Sequence, residues 1–267
     1  MVRGNDILIQ KKDFSLDQTL DCGQAFRWER LNRSAECSYH GFYLNNSLTI
    51  SEEKDYIILH NTSEDDFIDI WYSYFDLGTD YCELKKMFSE DETLAKACEY
   101  AYGIRLLRQD KWEALFSFII SQNNNIPRIK GIISRLCEKY GGFPLPEQLK
   151  GLTAEDLAFL RAGFRAKYLA DCAEKISSGS IVLEKTAAAN IDDARKELMT
   201  IKGVGPKVAE CALLYGMYRV EAFPVDVWIK RVMETYYPNG FPDYLSKYAG
   251  IAQQYLFHYI RTGEKGE

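Results

Sequence analysis

Residues 197–216, ELMTIKGVGPKVAECALLYG, decide how this chain is read. The stretch is helix, short Gly-x-Gly turn, helix. Gly203 and Gly205 permit positive φ and close approach of another backbone, and Pro206 suits the first turn of the second helix. The amides of such a turn point outward at a helix N-terminus, where the dipole favours an anion such as a phosphate. Taken alone, Gly-x-Gly reads more readily as a helix corner that needs glycine for steric reasons. Lys207 shifts that reading. A cation in the first turn of a helix is disfavoured by a few tenths of a kcal/mol up to ~1 kcal/mol. The same field favours the neutral amine, the form an amine nucleophile requires. Cys211 stands at i+4 and faces the same way as Lys207, where burial is its ordinary role.

The next segment, AFPVDVWIKRVM (222–233), sets Pro224 and then Asp226 directly before an amphipathic run. Asp226 therefore occupies an N-cap position. A carboxylate held this way stays ionised and rigid, able to stabilise positive charge that develops on a sugar ring. Cap and catalyst can be one residue.

Outward from the hairpin the chain divides. GFYLNNSLTISEEKDYIILHN (41–61) holds the β-rich runs FYL, SLTI and YIIL, separated by Asn-Asn and an acidic turn. FSLDQTLDCGQAFRWER (14–30) predicts a short helix, a Gly-Gln turn and an aromatic strand. Helical patterns begin near residue 63, in EDDFIDIWYSYF, ELKKMFS and ETLAKACEYAYG, and an N-terminal unit is expected to end near residue 100. Beyond it WEALFSFIISQ, IPRIKGIISRLCEKYG, KYLADCAEKISSG, IDDARKELMTI, DVWIKRVMETYY and LSKYAGIAQQYLFHYIRTG all predict helix. So does TAEDLAFLRAG (153–163), with a Thr cap and Gly163 as its stop. The expected class is α+β by segregation: an N-terminal antiparallel β-containing domain, 1–100, then a mostly α-helical two-lobed domain, 101–267. The helix-hairpin-helix falls at about 195–218 and the aspartate loop at 222–228.

Composition removes several classes. The 46% apolar and 27% charged residues of the 267 are those of a globular protein. MVRGNDILIQKKDF has no apolar stretch suited to a signal peptide, and no run spans a bilayer, so the expected address is intracellular, in cytoplasm or nucleoid, with no membrane partner. The seven cysteines are odd in number, widely spread and without C-x-x-C, against a disulfide framework, a structural zinc site or a C-terminal iron–sulfur cluster. The net charge of −6 argues against nucleic acid until it is divided. Residues 1–100 carry 10 Lys+Arg against 20 Asp+Glu, and residues 101–267 carry 23 against 19. An acidic block masks a mildly basic remainder.

IKGVGPKVAECALL followed by FPVDVWIKRV resembles the helix-hairpin-helix, Gly/Pro-rich loop and aspartate of the base-excision DNA glycosylase superfamily. CGQAFRW, YFDLGTDY, IRLLRQDKWEALFSFIISQNNNIPRI, GFRAKY and GIAQQYLF resemble, in order and across nearly the whole chain, its 8-oxoguanine DNA glycosylase/lyase branch. FSFIISQNNNI with KVAEC is the more specific part. The resemblance implies an enzyme that flips the damaged nucleotide from duplex DNA clasped between lobes. It implies Lys207 as the nucleophile at C1′ and the Schiff-base amine for β-elimination, and Asp226 as the stabiliser of the oxocarbenium-like transition state. Phe257 and Cys211 would sandwich the oxidised base, with Pro224 as another wall and Gln253 reading its Watson–Crick edge. Without the resemblance, Gln253 and Phe257, i,i+4 on one helix face, read as core packing.

By the same resemblance the carbonyl of Gly23 accepts from N7–H, which 8-oxoguanine has and guanine lacks. Asn123 would fill the gap left by the flipped base, Arg128 and Arg165 would donate to the widowed cytosine, and Phe164 would wedge beside it, where many relatives carry tyrosine. Gly203 and Gly205 would bring a phosphate close. No cofactor or metal is implied, and a monomer acting on double-stranded DNA is expected, with 8-oxoguanine opposite cytosine. Two positions depart from many eukaryotic relatives: Trp228 stands where they have histidine, and Ile260 where they have an acidic residue. The rival readings are a monofunctional alkylbase glycosylase, which uses water and has no need of Lys207, and an inert DNA-binding hairpin.

Overall fold

The three β-rich runs after residue 36 become consecutive strands because short turns fold each back on the last, so that neighbouring backbones satisfy one another's N–H and C=O groups. The computed structural model describes residues 1–31 and 37–263. Its strands are β1 (Val2–Arg3), β2 (Asp6–Gln10), β3 (Trp28–Arg30), β4 (Cys37–Tyr43), β5 (Asn46–Glu52) and β6 (Tyr56–His60). They form one antiparallel sheet in the order β1-β2-β6-β5-β4-β3. The register Tyr43↔Asn46 leaves Leu44 and Asn45 as a two-residue turn, with Leu44 at φ +53°, so Asn46 belongs to the strand and not to the turn. Tyr39↔Ile50 and Ile50↔Leu59 line up on the covered face of the sheet.

Contacts group the chain into two units, residues 1–108 together with 225–267, and residues 109–224. In the first, the sheet's buried face packs on Phe14, Leu16, Trp28, Trp71, Tyr74 and Phe75. Trp28 Nε1 donates to Tyr74 Oη at 2.7 Å, so the buried indole keeps a hydrogen bond. Residues 225–267 join this unit through long-range packing rather than chain proximity. Tyr255 stands edge-on to Phe88 and donates to the carbonyl of Ile104, and Tyr237 donates to Asp91 at 2.7 Å.

The second unit is helical. Lys111–Ser121 is capped by Asp110, whose side chain accepts from Glu113 N–H, and nearly all of its residues are buried. Asn125 caps Ile126–Tyr140 in the same way, and Gly141 at φ +73° ends it. Ala166–Ser177, Leu183–Ala188 and Ile191–Leu198 follow, then Pro206–Cys211, which continues as a π-helical turn over Ala212–Gly216.

The helix expected over 153–163 does not form. Its cap does: Thr153 and Asp156 exchange hydrogen bonds of 2.9 and 3.3 Å. Only a 3₁₀ turn, Ala158–Leu160, follows: the N–H groups of Ala158, Leu160 and Arg161 donate three residues back, to Glu155, Leu157 and Ala158, and Arg161 takes a left-handed φ of +55°. The Arg135 guanidinium satisfies the Leu160 carbonyl at 2.8 and 3.0 Å, a group that the end of a helix leaves without an internal partner.

Candidate active site

Gly203 and Gly205 have different reasons for being glycine. Gly203 sits at φ +76°, and a Cβ there would lie 2.4 Å from the Tyr168 ring, so both conformation and space demand glycine. Gly205 is extended, at φ −96° and ψ −178°, with nothing within 4 Å of a built Cβ. Of the two glycines that permit positive φ, Gly203 alone adopts it. Asp171 fixes the turn from below, accepting from Lys202 N–H at 2.8 Å, with Lys175 Nζ at 3.3 Å. Burial pushes the Asp171 carboxyl up, but that hydrogen bond and the two lysine charges outweigh it and hold it below the usual carboxylate range.

Pro206 opens the second helix at its first position, as the sequence predicts. Lys207 is half-buried in that first turn, and its Nζ lies 5.5 Å from the centroid of the Phe118 ring, which itself stacks on Tyr215 at 5.0 Å. Within its unit Lys207 makes no ion pair and no hydrogen bond through Nζ, in contrast to Lys175 and Lys202 on Asp171. One turn on, Cys211 is buried. Beside it Glu210, buried and unremarked in the sequence, pairs with Arg195 on the hairpin's first helix and accepts from Phe223 N–H at 2.7 Å. It thereby ties the hairpin to the segment that carries buried Pro224. A glutamate in an apolar helix face was the only available sequence signal.

The same unit holds the Asn-rich turn. Asn123 is exposed at φ +45°, and exposed Arg128 lies one helical turn beyond. Arg165 is buried, and its guanidinium donates to the carbonyls of Gln122, Asn123 and Ala162. In this state it clamps the turn that presents Asn123. Burial and the neighbouring Arg128 charge both lower its pKa from the usual arginine value. Phe164 is 51% exposed, its ring stacked under the Arg165 guanidinium at 4.4 Å.

Gly23, Asp226, Gln253 and Phe257 belong to the other unit. Asp226 is the N-cap of Val227–Tyr236: Oδ1 accepts from Trp228 N–H at 3.0 Å and Ile229 N–H at 2.9 Å. Trp228 is half-buried with Arg231 over its ring at 5.1 Å, and Ile260 is buried. On Ala249–His258 Gln253 is buried and Phe257 half-buried, one turn apart on one face. Arg261 stands 5.6 Å from the Phe257 ring, and its charge also acts on the thiol of Cys22, next to Gly23. Burial pushes the Cys22 thiol up to about 11. Gly23 is at φ +87°, a conformation open to glycine at little cost. Among the described residues no group of three or more His, Cys, Asp or Glu side chains could hold a metal ion, and no helix is long and apolar enough to cross a membrane.

Two family descriptions divide the chain between them: the 8-oxoguanine DNA glycosylase N-terminal domain over residues 6–115, and the HhH-GPD superfamily base excision DNA repair protein over 116–243. An N-glycosylase/DNA lyase of Saccharomyces cerevisiae is 32% identical over 86% of this chain and 70% of its own length. Among solved structures, MBOgg1 in complex with a low-affinity DNA ligand is 42% identical, covers 100% of this chain and 98% of its own, and superposes with a TM-score of 0.91. The Clostridium acetobutylicum 8-oxoguanine glycosylase/lyase, in complex with double-stranded DNA containing cytosine opposite 8-oxoG, is 36% identical over 98% and 97% of the two chains, with a TM-score of 0.89. Likeness of this extent, in sequence and in fold, places the chain in the 8-oxoguanine DNA glycosylase/lyase family.

Proposed function

We infer that this protein is a bifunctional base-excision repair enzyme that releases 8-oxoguanine from duplex DNA and then nicks the strand. The observation that carries the reading is Lys207: a half-buried amine in the first turn of a helix, over an aromatic ring, with no carboxylate of its own unit to neutralise it. A water mechanism has no use for that placement. As a nucleophile, the amine forms a bond to C1′ while the glycosidic bond breaks and its electrons leave with the base. Opening of the sugar gives the Schiff base, which acidifies the 2′ proton, and loss of that proton expels the 3′ phosphate. Asp226 stabilises the positive charge that grows on the sugar as the base departs. The capped carboxylate needs no reorganisation for this, since two backbone N–H groups already hold it.

Recognition is assigned to Gly23 through its carbonyl, Gln253 through its amide, and Phe257, Cys211 and Pro224 through their surfaces. Asn123, Arg128, Phe164 and Arg165 act at the vacated position and its cytosine partner. No cofactor enters, and the enzyme works as a monomer in the compartment that holds the DNA. The test is a set of duplexes with 8-oxoguanine opposite each base. Base release, strand cleavage and a borohydride-trapped adduct are expected, fastest opposite cytosine. Release without an adduct favours the alkylbase-type mechanism, no release favours an inert hairpin module, and equal rates opposite all four bases remove the cytosine preference.

The two hairpin glycines separate fold from DNA binding. Gly203→Ala is expected to destabilise the protein by roughly 2–3 kcal/mol, through positive-φ strain and the clash with Tyr168. Gly205→Ala has no such conflict inside the chain. It should leave the melting temperature within about 2 °C while weakening duplex binding by about 5–10-fold, since its Cβ meets only what approaches from outside. Unchanged affinity in a well-folded Gly205→Ala variant would remove the phosphate contact from this turn.

A further inference from the structure

Gln24 follows Gly23 and is fully buried, an unusual place for an uncharged amide in a turn. Its Nε2 donates to the carbonyls of Thr19 and Arg105, both at 2.8 Å, and its Oε1 accepts from Leu107 N–H at 2.9 Å. This pattern of two acceptors facing nitrogen and one donor facing oxygen fixes the amide's orientation. The partners belong to two chain segments, the end of the Leu16–Leu20 helix and the extended stretch after Gly103. Upstream of the turn, Cys22 Sγ donates to the same Thr19 carbonyl at 3.3 Å, and the Tyr39 hydroxyl lies 2.6 Å from both Asp17 Oδ1 and Asp21 Oδ2. Both ends of the Cys22-Gly23-Gln24 turn are therefore anchored.

The direction of the Gly23 carbonyl is set by ψ of Gly23 and φ of Gln24. Glycine at φ +87° imposes little on the first of these, so a peptide after glycine is the one most able to rotate. A carbonyl that distinguishes N7–H from a bare N7 lone pair must hold its direction within a narrow cone, because a hydrogen bond weakens steeply off axis. We propose that Gln24 is a positioning residue for base selectivity, its buried amide clamping the peptide whose carbonyl reads N7–H. The proposal rests on the role assigned to Gly23 above. Gln24 touches no substrate; it acts through the glycine before it.

The test compares binding with cleavage. In a Lys207→Gln background, which leaves the lesion uncleaved, affinities are measured for two duplexes that differ only in 8-oxoguanine or guanine opposite cytosine. Adding Gln24→Met, which keeps chain length and removes the hydrogen bonds, is expected to reduce the preference for 8-oxoguanine by about 10-fold or more. Gln24→Glu, close in volume, keeps the acceptor toward Leu107 but loses both donors, and is expected to behave alike. With Lys207 intact, either variant should cleave a preformed abasic site within about threefold of the parent, because no base is there to be read. An unchanged preference overturns the proposal, and so does an equal fall in abasic-site cleavage, the mark of a merely structural residue. If the parent with Gln24 shows no preference at all, the Gly23 reading itself fails and the proposal falls with it.

Discussion

Lys207→Gln is expected to abolish the borohydride-trapped adduct and to slow strand cleavage by about 10³-fold or more, because the amide nitrogen's lone pair is delocalised into the carbonyl and serves neither attack at C1′ nor a Schiff base. The fold should survive. Lys207 has no ion pair in its unit to break, and a glutamine of similar reach can lie over Phe118 as the lysine does. Removing a cation from the first turn of a helix is neutral to mildly stabilising, by a few tenths of a kcal/mol up to about 1 kcal/mol. Loss of activity with a melting temperature equal to or slightly above the parent's is thus the signature of a catalytic amine placed against electrostatic preference. A normal adduct from Lys207→Gln would show that another amine is the nucleophile. Loss of the adduct together with a large fall in melting temperature would make the lysine structural.

Features whose signal lies within a few neighbouring residues are legible in the sequence. Pro206 at a helix start, Asp226 at a cap and the strands around SLTI each carry their signal within a few residues. What depends on a distant partner was silent. The strand Asp6–Gln10 exists because Ile7 and Ile9 find Leu59 and Ile57, some fifty residues on, and a five-residue run between lysines and a turn does not announce such a partner. Residues 225–267 return to the N-terminal unit through Tyr237 and Tyr255, whose hydroxyls reach Asp91 and Ile104. Nothing in their helical periodicity points there.

The site shows the same division. The hairpin itself follows from the order Gly, Pro and Lys, whereas the lack of room for any side chain at 203 is set by Tyr168, a residue on another helix. The Thr153–Asp156 cap was legible, whereas the left-handed Arg161 that closes the chain after a single 3₁₀ turn was not. Arg165 and Gln24 look alike in this respect. Each is a polar residue in a turn whose donors, once buried, hold neighbouring backbone, and sequence gives no measure of burial for either. The substrate-reading roles proposed for Gly23, Gln253 and Phe257 rest on resemblance alone, since buried Gln253 beside a half-buried phenylalanine has the pattern of ordinary core.

Asp226→Asn separates the cap from the catalyst, which no substitution to alanine can do. Asparagine caps a helix about as well as aspartate, and its Oδ1 can accept from the same Trp228 and Ile229 amides. What remains to be lost in stability is the charge at the helix N-terminus, about 0.3–1 kcal/mol. Asp226→Ala loses the cap as well, a further ~1 kcal/mol. In catalysis the ordering changes. A neutral amide cannot stabilise a developing oxocarbenium charge, so Asp226→Asn is expected to slow base release by about 10²-fold or more, and Asp226→Ala by a similar factor. Stability should therefore fall in two steps and base release in one. Single-turnover release rates and thermal melts on the two variants read this directly. Full release by a well-folded Asp226→Asn would leave the aspartate as a cap only, and the charge on the sugar would need another source.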